Sequence, residues 1–310
     1  MNKNANLIIG SGVIGAYLAK LLISKKKQVI VTSRKIKKNF ENYKYLKIQN
    51  KVKFTKLDVT KTKDIEKVLD KFKPSKIFYF AGQSSIPKSI LLPQETYNSH
   101  YLGTKNFLKV LKKRKEIKFF KTNSGYIFRP KKGLINLKCK FSQNKNPYIL
   151  AQKKVFKLIE KFRKFNLLLY NLVLLQVESP LRPNSFFIKK VCLAAKNKNK
   201  INVGNIHNFR DYSWAPEIVK FIYKISNTDP QNFLISAGKK MSGSNILKFA
   251  YDENKLDYKK YYTFNKKFIR KAEDKVLIGD PENTKKLQKK LKLKFKIFQK
   301  LLIKKMLKSA

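Results

Sequence analysis

A tyrosine near the middle of the chain stands where its phenol could exchange protons with a substrate. Residues 146–153 read Asn-Pro-Tyr-Ile-Leu-Ala-Gln-Lys, with the phenol on Tyr148. In a helix, a side chain four residues later shares the same face, so a cation there would stabilise a tyrosinate. That position is Gln152, whereas Lys153 lies one residue later, about 100° further around a helix. At helical spacing, therefore, Tyr148 shares its face with the amide of Gln152 and not with the cation of Lys153.

A second candidate site is the glycine-rich segment near the N-terminus. Gly10, Gly12 and Gly15 follow the apolar run Leu7–Ile9 and open a helical pattern. Glycines at this spacing allow a tight turn and a close backbone approach, and the helix N-terminus that follows receives a pyrophosphate. The segment therefore predicts a dinucleotide-binding turn.

The end of the second predicted strand indicates which dinucleotide is bound. An enzyme that uses NAD usually carries an acidic residue there, which accepts from the ribose 2′-hydroxyl. This chain has Arg34 and Lys35 instead, with no acidic neighbour. A guanidinium suits a 2′-phosphate, so the sequence favours NADP as the cofactor.

The elements that must position these residues alternate along the first half of the chain. This alternation predicts an α/β fold with a doubly wound parallel sheet of the Rossmann type, in a domain of residues 1–176. Residues 177–310 are expected to form mainly a smaller α/β substrate domain, with part of the stretch returning to the sheet. The tail from Lys285 onward carries apolar residues at helical spacing and predicts one amphipathic helix. The predicted strands are Leu7–Ile9, Gln28–Thr32, Lys53–Leu57, Lys76–Phe80, Lys118–Thr122 and Leu167–Leu175, and the predicted helices Ile14–Ser24, Asp64–Phe72, Gln94–Arg114 and Ile149–Phe165.

The composition is strongly basic, with 72 Lys and Arg residues against 19 Asp and Glu and a formal charge of +53. Nucleic-acid binding is one interpretation. The alternative, a codon bias toward lysine, is favoured because the lysines are spread evenly and only seven residues are arginine. No apolar run is long enough to span a membrane, and the two cysteines lack metal-ligand spacing, so we expect a cytoplasmic protein that needs no metal.

Several short segments, in the same order, resemble the GDP-mannose 4,6-dehydratases, a family of extended short-chain dehydrogenase/reductases. The resemblance covers roughly residues 7–295. It implies a GDP-sugar substrate, GDP-mannose in particular, and association into a homodimer or homotetramer. The matching segments are Tyr148 with its helix, Glu178-Ser179-Pro180-Leu181-Arg182, Gly204-Asn205, Arg210-Asp211-Tyr212, Arg270-Lys271-Ala272-Glu273, Gly279-Asp280 and Thr284-Lys285.

The resemblance also implies binding roles for individual residues. Asp58 corresponds to a residue that contacts the adenine, and Ala81, Gly82 and Gln83 correspond to a turn that lines the cofactor. For the sugar nucleotide, the resemblance assigns the diphosphate to two arginines and the guanosine ribose to a carboxylate, in keeping with their chemistry. These substrate-binding candidates are Arg210, Arg270 and Glu273, together with Gln176, Glu178 and Arg182 in the segment after the sixth strand.

The implied catalytic residues depart from the family pattern. Tyr148 matches the catalytic tyrosine and Ser124 the hydroxyl that bonds the C4 oxygen. Tyr126 replaces the glutamate base, and Gln152 replaces the lysine. Phenols ordinarily ionise near pH 10, so they are poor bases at about neutral pH. The sequence thus leaves open a dehydratase, a reductase or epimerase acting at C4, and a protein that binds the nucleotide sugar without turnover, with nucleic-acid binding last.

Overall fold

The computed structural model describes residues 5–36, 40–268 and 274–309, and the chain divides into two compact units. The first unit comprises residues 1–127, 141–173 and 219–233, and the second comprises 128–140, 174–218 and 234–310. The two units are therefore interleaved along the chain. Within the described ranges, no helix has the length and apolar character needed to cross a membrane.

The first unit is built on a seven-stranded sheet with the order β11-β7-β5-β4-β1-β2-β3. The pairings from β5 to β3 are parallel, with Leu7 opposite Ile30 on one side and Ile77 on the other. The predicted doubly wound α/β fold is confirmed. Its strands are β1 (Asn6–Ile9), β2 (Val29–Ser33), β3 (Lys53–Lys56), β4 (Lys76–Tyr79), β5 (Lys118–Ser124), β7 (Leu169–Leu174) and β11 (Asn232–Ile235).

An apolar cluster helps to stabilise this unit. It joins the sheet to three helices and includes Phe107, Phe119 and Ile159, all fully buried. A turn of π-helix, Asn98–Leu102, interrupts the predicted helix 94–114. Such turns often accompany functional sites because they redirect side chains. The helices of this unit are α1 (Val13–Ser24), α2 (Glu41–Tyr45), α3 (Thr62–Phe72), α4 (Ile86–Leu91), α5 (Pro93–Tyr97), α6 (Gly103–Leu111), α7 (Pro147–Arg163) and most of α9 (Ala215–Ile225).

The second unit has a separate core and a mixed sheet. Strand β10 lies at the centre of this sheet, antiparallel to β12 and parallel to β14 and β8. Helices α8, α10 and α12 pack together around Cys192, Leu247 and Ile303. Its elements are β6 (Leu134–Ile135), β8 (Gln176–Glu178), α8 (Phe187–Lys196), β9 (Ile201–Val203), β10 (Phe209–Trp214), β12 (Lys240–Ser242), α10 (Gly243–Asp252), β13 (Tyr262–Phe264), β14 (Val276–Gly279), α11 (Pro281–Leu291) and α12 (Gln299–Leu307).

The prediction of one helix through the basic tail is wrong. Helix α11 ends where Lys292 adopts a left-handed conformation, with φ of 52°. The chain then runs outside regular structure until α12 begins at Gln299. Glu217 stabilises this connection, since its carboxylate accepts from the backbone N–H groups of Lys296 and Ile297 at 2.9 and 3.1 Å. A buried carboxylate therefore satisfies backbone donors that a continuous helix would have used internally.

Candidate functional site

The glycine turn joins β1 to α1 and has one open side. Gly10 has φ of 102°, and a Cβ there would meet the backbone nitrogen of Ala81 at 2.8 Å. A Cβ on Gly15 would meet the carbonyl oxygen of Gly10 at 2.4 Å, so both positions require glycine. At Gly12, by contrast, an added Cβ would meet no described atom within 4 Å. The backbone at Gly12 can therefore be approached closely, as a pyrophosphate group requires.

A cavity of about 660 Å³ lies beside this turn. Arg34 lines it, and its guanidinium donates to the carboxylate of Glu95 at 2.6 Å in an exposed ion pair. Burial raises the pKa of Asp58, but two hydrogen bonds from Thr60, at 2.7 and 3.0 Å, outweigh this effect and leave the pKa below its usual value. The cavity is lined by Ser11, Ser33, Arg34, Lys35, Phe40, Glu41 and Asn42.

Tyr148 stands in the first turn of α7. The N-cap side chain of Asn146 accepts from the Tyr148 backbone N–H at 2.8 Å, which sets where the helix begins. The half-buried Tyr148 ring packs edge-on against the ring of His100, with centroids 5.5 Å apart. Gln152 follows one turn later and is 3% exposed. The structure therefore brings Tyr148, Gln152 and His100 together.

His100 is held by the backbone of the turn after β4. Its Nε2 lies 2.9 Å from the carbonyl oxygen of Gln83. The ring packs directly against Gly82, so closely that a Cβ added at Gly82 would meet the ring at 2.2 Å. On its other side, Nδ1 lies 3.4 Å from Nε2 of Gln152. Burial lowers the pKa of His100 to about 3, and the charge of Lys121 acts in the same direction.

Lys121 is a buried cation on β5. Its Nζ donates to the carbonyl oxygen of Thr122 at 3.0 Å and lies 4.7 Å from the ring centroid of Tyr79. No carboxylate pairs with it among the described residues. Burial lowers the pKa of Lys121 to about 7. A lysine in this state loses much of its charge near neutral pH.

The end of β5 presents the predicted hydroxyl. Ser124 is buried, and its Oγ accepts from the backbone N–H of Tyr126 at 3.3 Å. The neighbouring Asn123 side chain donates to the carbonyl oxygen of Gln152 at 3.2 Å. This bond ties the strand end to α7 within one turn of Tyr148. Tyr126 itself is half-buried in a short 3₁₀ turn, residues 125–127.

Lys153 does not take the position that Gln152 occupies. Its ammonium donates to the carbonyl oxygens of Ser142 and Asn144, in the loop before α7. Burial lowers its pKa, with the neighbouring Lys157 acting in the same direction. The lysine therefore anchors the loop that leads into the helix.

The substrate-binding candidates of the second unit include a buried acid. Glu178 is 4% exposed, and the Arg182 Nε lies 3.9 Å from its carboxylate, which is too long for a hydrogen bond. Burial raises the pKa of Glu178 to about 7, although the charge of Arg182 opposes this shift. The Arg182 guanidinium also stacks on the ring of Phe186 at 3.5 Å. Gln176 is half-buried at the start of the same strand, opposite Tyr212 of β10.

Arg210 is also buried, on β10. Its guanidinium donates to the carbonyl oxygens of Phe209 and Lys275 at 2.7 and 3.4 Å. The adjacent Asp211 accepts from the backbone N–H groups of Gly238 and Gly279 at 2.8 and 3.2 Å. Burial nevertheless raises the pKa of Asp211 to about 7. The remaining predicted residues, Arg270 and Glu273, lie outside the described residues.

Sequence reasoning missed His100 and Lys121. His100 offered one signal, since the chain contains only two histidines. Lys121 offered none, because lysines occur throughout the chain and nothing local marks this one as buried. The π-helical turn that carries His100 also has no pattern of its own in the sequence.

Solved structures of sugar-nucleotide enzymes share this fold. A dTDP-glucose 4,6-dehydratase from Bacillus anthracis in complex with NAD matches with a TM-score of 0.85 over 99% of this chain and 96% of that chain, at 14% identity. A UDP-glucose 4-epimerase from Thermotoga maritima with UDP-glucose gives 0.84 over 98% of both chains, at 19% identity. The chain thus has the overall fold of sugar-nucleotide dehydratases and epimerases.

Within that class the chain belongs to the GDP-mannose 4,6 dehydratase family, whose model matches residues 7–306. A relative from Dictyostelium discoideum is 22% identical over 92% of this chain and 90% of that protein. The human relative is 24% identical over 76% and 68% of the two chains. For a relative from Caenorhabditis elegans, 23% identical, the match spans only 54% of that protein. The chain is therefore a distant member.

Proposed function

We propose that this chain is an NADP-dependent enzyme that oxidises and reduces C4 of a GDP-sugar, with GDP-mannose as the substrate. The observation that carries the proposal is the hydrogen bond from Asn123 to the Gln152 carbonyl oxygen, 3.2 Å long. It joins the strand end that bears Ser124 to the helix turn that bears Tyr148. We expect the Ser124 hydroxyl and the Tyr148 phenol to reach the same substrate oxygen, as a proton transfer at an alcohol carbon requires.

The roles of the residues follow from their chemistry. Ser124 donates to the C4 oxygen and orients it. The Tyr148 phenolate takes the proton from the C4 hydroxyl, so that the C4–H bond can break as the carbonyl forms. When bound, NADP supplies the hydride acceptor. Arg34 at the cavity suits its 2′-phosphate, and the open backbone at Gly12 suits its pyrophosphate.

The reaction has two possible versions, dehydration and C4 oxidation with re-reduction alone, and the presence of Tyr126 favours one of them. Dehydration needs a base that removes the C5 proton, and the family pattern places a glutamate where this chain has Tyr126. C4 oxidation and re-reduction alone need only Ser124 and Tyr148. The replacement favours the reductase or epimerase version. We assign Glu178 and Arg182 to the binding of the sugar nucleotide.

The test is incubation of the purified protein with GDP-mannose and NADP in deuterated water. Deuterium at C5 together with a 6-deoxy keto-sugar would indicate dehydration. A keto-sugar or C4 epimer without deuterium at C5 would support the C4 reaction. Calorimetry with each ligand separately is the control for binding. Binding without any product would support a protein that holds the nucleotide sugar without turnover, and failure to bind either ligand would overturn the proposal.

A further inference from the structure

The side-chain amide of Gln152 has one bonded end and one unbonded end. Its Nε2 lies 3.4 Å from His100 Nδ1, whereas its Oε1 is buried and has no hydrogen-bond partner among the described residues. Burying an acceptor without a hydrogen-bond partner is unfavourable, so native proteins rarely leave one unsatisfied. A donor from outside the protein is therefore expected at Oε1.

The orientation of this amide follows from the chemistry of His100. A carbonyl oxygen can only accept, so the Nε2 of His100, 2.9 Å from the Gln83 carbonyl oxygen, must carry a proton. In a neutral imidazole the other nitrogen is then an acceptor. Nδ1 consequently faces the NH₂ group of Gln152, and the reverse orientation would place two acceptors against each other.

The surroundings of His100 keep the ring neutral. The ring is 4% exposed and packs against Gly82 and Tyr148. The charged group that acts on it is the buried cation Lys121, which opposes a second positive charge, and burial itself disfavours the charged ring. A charged ring would donate from both nitrogens, and the Gln152 amide would then rotate so that its Oε1 faces Nδ1.

We propose that His100 is a positioning residue that orients Gln152 so that its Oε1 accepts a hydrogen bond from a hydroxyl group of the bound dinucleotide. A lysine at this position would only donate. At this position the chain therefore offers a hydrogen-bond acceptor, whereas the lysine of the family pattern offers a donor. The identity of the ligand rests on the proposed function, whereas the orientation of the amide does not.

The orientation is tested by nitrogen NMR of protein labelled at histidine. The chain contains only two histidines, and the exposed His207 is assigned by its loss in a His207→Gln variant. We expect the His100 ring to stay neutral and protonated on Nε2 between about pH 5 and 8. Protonation on Nδ1, or a charged ring in this range, would overturn the inference whether or not any ligand binds.

The positioning role is tested by calorimetry with NADP on His100→Phe, Gln152→Leu and the double variant. Each single change is expected to weaken binding about three- to tenfold, as for one lost hydrogen bond. The double variant should bind no worse than Gln152→Leu, because His100 acts only through Gln152. If His100→Phe weakens NADP binding by the same factor in the wild-type protein and in the Gln152→Leu protein, His100 has a packing role and the inference is overturned.

A second variant covers the case in which His100→Phe does not fold. His100→Gln keeps a donor toward the Gln83 carbonyl oxygen, and circular dichroism verifies the fold of each protein before titration. If the wild-type protein binds no NADP while the NMR result stands, the proposed function fails and the orientation of Gln152 is retained. Binding that is unaffected by Gln152→Leu would overturn the contact with the dinucleotide.

Discussion

The basic groups with the largest pKa shifts lie in the first unit, whereas the carboxyls with the largest pKa shifts lie in the second. In the first unit, burial lowers the pKa of His100 to about 3 and of Lys121 to about 7. In the second unit, burial raises the pKa of the carboxyls of Glu178 and Asp211 to about 7. In each case the charged form is disfavoured because it has left water.

The basic composition of the chain limits how its buried lysines can be paired. With only 19 acidic residues, few carboxylates are available to pair with a buried lysine. Lys121 relies on one carbonyl oxygen and an aromatic ring. Asp211, in contrast, accepts from two backbone N–H groups, which offset part of the cost of burial. Burial therefore favours the deprotonated form of Lys121 and the protonated form of Asp211.

The largest expected effect concerns the proposed proton-transferring tyrosine of the first unit. Tyr148→Phe keeps the ring that packs against His100 but removes the phenol, so we expect kcat to fall about 10²- to 10⁴-fold with little change in ligand affinity. Steady-state kinetics and calorimetry measure the two quantities. Tyr126→Phe is the matched control, because it removes a phenol that the C4 reaction does not need. Equal losses in the two variants would contradict the assignment of Tyr148.

The second prediction restores a cation to the first unit. Gln152→Lys places an ammonium one helical turn after Tyr148, where His100 Nδ1 can accept from it. The cation stabilises a phenolate, so we expect activity to rise about tenfold or more, and more at acidic than at alkaline pH. Lys153→Gln is the control, since that lysine bonds to the loop before α7. Unchanged activity in Gln152→Lys would contradict the expectation that a cation at this position assists the proton transfer.

Much of the fold could be predicted from the sequence, because strands and helices in a doubly wound sheet alternate and bury regular apolar runs. The predicted strand Lys53–Leu57 and helix Asp64–Phe72 differ from the structure by only one or two residues at an end. The break at Lys292 could not be predicted, since it depends on Glu217, far away in the sequence. The contact between His100 and Gln152 likewise depends on tertiary packing.

The third prediction tests the opposite pH dependences directly. The pKa of Lys121 is about 7 in the folded protein, against 10.5 for an ordinary lysine. Between pH 7 and pH 10.5 the unfolded chain therefore holds a proton that folded Lys121 has released, so stability falls as the pH drops through this range. Lys121→Met should remove this dependence and stabilise the protein near neutral pH by a few kcal/mol, at about 1.4 kcal/mol per unit of pKa shift. Thermal unfolding at several pH values measures the change.

Glu178→Gln is the counterpart in the second unit. Folded Glu178 holds its proton up to about pH 7, whereas the unfolded side chain loses it near 4.5, so stability falls as pH rises between these values. The variant should lose this decline while leaving the behaviour of Lys121 above pH 7 intact. The same pH trend in both variants would break the contrast between the units.

The smallest expected effect concerns the cofactor. The Arg34 guanidinium is 61% exposed and pairs with Glu95, and exposed pairs of this kind contribute about 0–1 kcal/mol. The 2′-phosphate of NADP carries more charge than the Glu95 carboxylate, so the Arg34 guanidinium should prefer the phosphate. Arg34→Ala should therefore weaken NADP binding about tenfold and leave the binding of NAD, which lacks this phosphate, nearly unchanged. Glu95→Gln frees the guanidinium and should strengthen NADP binding by about two- to fivefold. Calorimetry with both dinucleotides measures the ratio, and an Arg34→Ala protein that loses NAD and NADP equally would show that Arg34 does not contact a 2′-phosphate.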